Sequence, residues 1–87
     1  MPCRYGVTPE HRIMTELVEA DFEIGFCLID LARERPAQAT RLIADAEGVY
    51  QDILARLKSL PPLEGESFVP LVTELRRAID LTASPVQ

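Results

Sequence analysis

The chain predicts an all-α fold: a three-helix bundle made of a long antiparallel helical hairpin and a shorter third helix. Three observations predict it. Apolar residues recur in steps of four and three along three stretches. These are Ile13, Leu17, Ala20, Ile24, Cys27 and Leu31, then Ile43, Ala46, Tyr50, Ile53, Leu57 and Leu60, then Phe68, Val72, Leu75 and Ile79, ending on Thr82. That spacing belongs to helices laid lengthwise against one another. Prolines punctuate the stretches at Pro9, Pro36, Pro61-Pro62 and Pro85, and no period-two alternation competes with the helical one.

Each element has its own reason. Residues 1–7 read as an irregular leader, and Thr8-Pro9-Glu10 reads as a helix start. Threonine caps, proline suits the first helical position, and glutamate favours the positive end of the dipole. The first helix is expected over about 9–34, ending before Arg35-Pro36 because the residue before a proline resists the helical conformation. So short a link lays the next helix antiparallel. The second helix is expected over about 36–59, with Arg56 and Lys58 at its negative pole, and Pro61-Pro62 stops it. Leu60–Glu66 reads as a loop, Ser67 as a cap, and the third helix is expected over about 67–83, with Pro70 tolerated in its first turn.

Eighty-seven residues make one expected domain, 1–87, with a thin core that benefits from association. The core is aliphatic, since tryptophan is absent. A net charge of −5 with scattered Lys and Arg argues against a nucleic-acid partner, which needs a basic face. No apolar run reaches the ~18 residues of a membrane span, and the N-terminus has no apolar stretch of the signal-peptide kind. Cys3 and Cys27 are the two cysteines. Cys27 reads as a buried structural thiol on an apolar face, and reduced cysteines fit a cytoplasmic setting.

Placed on a wheel, the second and third helices carry one apolar face each. The back of the second lines up Ala37, Ala44, Gly48 and Ala55, small residues that suit either a close neighbour or a plain surface. The first helix differs. Beside Ile13, Leu17, Ala20, Ile24, Cys27, Leu28 and Leu31 runs a second stripe: Met14, Val18, Phe22, Gly25, Phe26, Ile29 and Ala32. Together they wrap roughly 260° of the helix, more than one bundle needs to bury. The second stripe is therefore the expected interface, comprising Met14, Val18, Phe22, Phe26 and Ile29, with the two phenylalanines as anchors.

Residues that carry chemistry are sparse. Asp21 lies inside the apolar arc; such an acid either has a raised pKa and a function or, as expected here, pairs with an arginine, a backbone donor or an interface edge. His11 is the one histidine, and no Glu-x-x-His pair accompanies it, so it reads as a surface residue and no metal is expected. Glu16, Glu19, Glu23, Asp30 and Glu34 form an acidic ridge, read as a solvated face rather than a cation site. No catalytic residue and no cofactor are expected. The function expected is that of a small, acidic, self-associating protein, a symmetric homodimer serving as an interaction or structural module. The alternative is an adaptor that takes a partner helix in an apolar groove along the first helix.

Overall fold

The computed structural model describes residues 9–83, with side chains from residue 12. The leader, Cys3, the Thr8 cap and the His11 side chain lie outside the described residues. Those residues are all-α, with no strand among them. The elements are α1 (Pro9–Glu34), a 3-10 turn (Pro36–Gln38), α2 (Ala39–Leu57), α3 (Pro62–Glu66) and α4 (Val69–Ala83).

Local chemistry sets these bounds. Arg35 leaves the helical region at φ −127° and ψ 75°, as a residue before proline does. Pro36 then opens a 3-10 turn, so α2 begins at Ala39, three residues later than the proline alone suggests. At its other end α2 tightens. Ser59 and Leu60 donate their N–H groups to the carbonyls of Arg56 and Leu57, at 3.0 and 3.1 Å, the i→i−3 pattern that closes a helix end. The connector expected as plain loop contains one helical turn, α3, started by Pro62 at a position where its fixed φ suits a helix. Ser67 does not cap α4. Its hydroxyl donates instead to the Glu64 carbonyl at 2.7 Å, finishing α3.

α1 and α2 run antiparallel, for Asp21 meets Arg56 while Gly25 lies opposite Val49. α4 packs on both of them. The core is Val18, Phe22, Ile29 and Ala32 from α1, Ala46 and Ile53 from α2, Leu60 and Phe68 from the links, and Leu75 and Ile79 from α4. The Phe22 ring stacks between those of Phe26 and Phe68, at centroid separations of 6.5 and 5.9 Å. The molecule is a rod of 53 × 17 × 16 Å. Its shape follows from lengths: α1 extends over about 39 Å and α4 over about 22 Å at ~1.5 Å per residue, so α4 is little more than half as long as α1.

Candidate interaction surface

The expected interface stripe faces inward. Val18, Phe22 and Ile29 are 0%, 3% and 1% exposed, and Met14 and Phe26 pack against them half-buried. These five residues form the seam of one chain rather than an outer surface. The stripe beside it is the one left open. Ile13, Leu17 and Ile24 are 58%, 41% and 49% exposed, with Ala20 exposed between them and Cys27 exposed one turn beyond. Cys27 is therefore a free, exposed thiol and not the buried one expected.

Three residues explain the inversion. Gly25 sits in the second stripe, and a Cβ placed on it would lie 3.1 and 3.3 Å from the two Leu75 methyls and 3.5 Å from a Val49 methyl. The missing side chain lets α1 and Leu75 of α4 approach more closely than a Cβ comfortably allows. Phe22 and Phe26 bring the largest apolar area, and burying it within the chain outweighs burying Ile and Leu instead. The glycine and the aromatic pair were the signals in the sequence that marked the inner face.

The open stripe has two unlike borders. One is the acidic ridge of Glu16, Glu19, Glu23, Asp30 and Glu34, all exposed. Arg12 and Arg33 approach Glu16 and Asp30 within 3.8 Å. The other border is Asp21, whose side chain is 18% exposed, with Arg56 Nε 2.8 Å from its Oδ2. The Nε–H is not aimed at that oxygen, so this is a charge contact rather than a formed hydrogen bond. Asp21 and Arg56 thus neutralise one another at the α1–α2 boundary.

The strongest polar cluster lies elsewhere, between α2 and α4. Arg76 donates Nη1 to Glu47 Oε1 at 3.0 Å and Nη2 to Glu47 Oε2 at 2.7 Å, and it also donates to Asp80 Oδ1 from Nη2 at 2.7 Å. Its guanidinium lies 4.9 Å from the centre of the Tyr50 ring. The bidentate fork holds the Glu47 carboxyl below its usual range, chiefly through the hydrogen bond, and raises Arg76 further. This is a clamp joining two helices. The Arg76–Asp80 spacing was readable in the sequence; Glu47 as the long-range partner was not.

A shallow groove of about 610 Å³ runs where α2, α3 and α4 meet, lined by Leu54, Ala55, Leu57, Pro62, Gly65 and Val69 and rimmed by Gln51, Lys58 and Glu66. The small residues on the back of α2 are exposed, and a Cβ on Gly48 would meet nothing within 4 Å. Among the described residues no cluster of His, Cys, Asp and Glu is arranged to hold a metal, and no helix is long and apolar enough to cross a membrane. Positions 11 and 27 are separated by about 24 Å along one helix. No protein family, no characterised protein and no solved structure matches the chain.

Proposed function

We propose that this protein is a self-associating helical module that forms a symmetric homodimer through the open stripe of α1. One observation carries the reading. Ile13, Leu17 and Ile24 are about half exposed along one line of a helix whose other side is already core. Apolar surface in a continuous stripe is stabilised by a neighbour, and two-fold pairing is the commonest way a soluble chain supplies one. The architecture behind it reads as a three-helix bundle, the α1–α2 hairpin with α4 packed across it. The two ion pairs that link different helices, Asp21–Arg56 and Arg76–Glu47, act as structural clamps, so we read the protein as an interaction module and not an enzyme. The free thiol of Cys27 fits a reducing, cytoplasmic compartment.

A second reading has its own support: the acidic ridge beside the stripe complements a basic amphipathic helix, so an adaptor role for another protein uses the same face. Light scattering coupled to size exclusion distinguishes them. The homodimer gives a mass that rises from one chain toward two with concentration, and Leu17→Asp with Ile24→Asp holds it at one chain with the helical spectrum unchanged. A single-chain mass at every concentration up to about 1 mM, where a pair worth about 4 kcal/mol would be substantially formed, rejects self-association.

A further inference from the structure

We draw no further inference here: the strongest candidate, the shallow apolar groove of Leu54, Leu57, Pro62 and Val69 where α2, α3 and α4 meet, carries none because nothing in the structure shows what covers it.

Discussion

Two glycines on neighbouring helices should respond to alanine with opposite signs. Replacing a mid-helix glycine by alanine stabilises a helix by about 0.5–1 kcal/mol, through backbone entropy. At Gly48 nothing lies within 4 Å of the new methyl, so the full gain remains. A domain of this length shifts its midpoint by roughly 4–8 °C per kcal/mol, and Gly48→Ala should melt about 3–6 °C higher. At Gly25 the same methyl lands 3.1 and 3.3 Å from Leu75 Cδ2 and Cδ1 and 3.5 Å from Val49 Cγ1. Leu75 is 0% exposed, so its methyls can give way only against other core side chains, and overpacking of this kind costs about 1–3 kcal/mol. After the propensity gain, Gly25→Ala should be about 1 kcal/mol less stable than the parent. Urea unfolding followed by circular dichroism gives both numbers, and a fixed low protein concentration keeps association out of them. A Gly25→Ala protein more stable than the parent would show that the α1–α4 seam is looser than the fold implies. A destabilised Gly48→Ala protein would show that the back of α2 is covered.

Other substitutions test the polar contacts and the stripe. Arg76→Lys keeps a charge but loses the fork to Glu47 and Asp80, and should lower stability by about 1 kcal/mol in the same urea assay. Glu47 has a folded pKa below its unfolded one, so its contribution is present above the unfolded value and lost as pH falls through the folded one. Because Glu47 is 42% exposed, solvent screening keeps that contribution under ~1 kcal/mol. The stability gap between the parent and Glu47→Gln should narrow between about pH 6 and pH 3, and a gap that widens on acidification contradicts the clamp. A double-mutant cycle of Asp21→Asn and Arg56→Met should return a coupling of about 0.5–1 kcal/mol, whereas additive effects would deny the pair any energetic role. Ile24 is 49% exposed; Ile24→Ala removes about 1 kcal/mol of transferable surface per copy. Two copies make about 2 kcal/mol, so the dimer dissociation constant measured by sedimentation should rise roughly 30-fold with folding unchanged.

The helices were legible because prolines and periodicity are local. Arg35-Pro36 ends α1, and Pro61-Pro62 follows the end of α2, each through steric rules that act within a residue or two. The early 3-10 turn and the single turn of α3 were not legible, since they depend on how tightly the chain must reverse against packed neighbours. The facing of α1 was the larger miss. A hydrophobic pattern reports that two stripes are apolar, but which one is buried within the chain depends on volume and close approach. Those are set by Gly25 against Leu75 and by the Phe22–Phe68 stack, contacts between residues 50 and 46 positions apart in the sequence. Asp21 stood at the border of the two stripes in the sequence, and Arg56 came to it only through the antiparallel α1–α2 pairing.

How tightly the stripe holds a second copy follows from its size. Ile13, Leu17 and Ile24 at 58%, 41% and 49% exposure leave open the equivalent of about one and a half aliphatic side chains per copy. At ~1.5–3 kcal/mol for each whole side chain, burying them on both copies contributes roughly 4–9 kcal/mol. Bringing two chains together costs about 4–15 kcal/mol at 1 M standard state. The three side chains alone therefore leave little surplus, and Ala20, Cys27, Leu28 and the Arg56 border must add the rest. The most favourable of these figures leave about 5 kcal/mol, a dissociation constant of a few tenths of a millimolar from those three side chains, so such a dimer exchanges rather than locks.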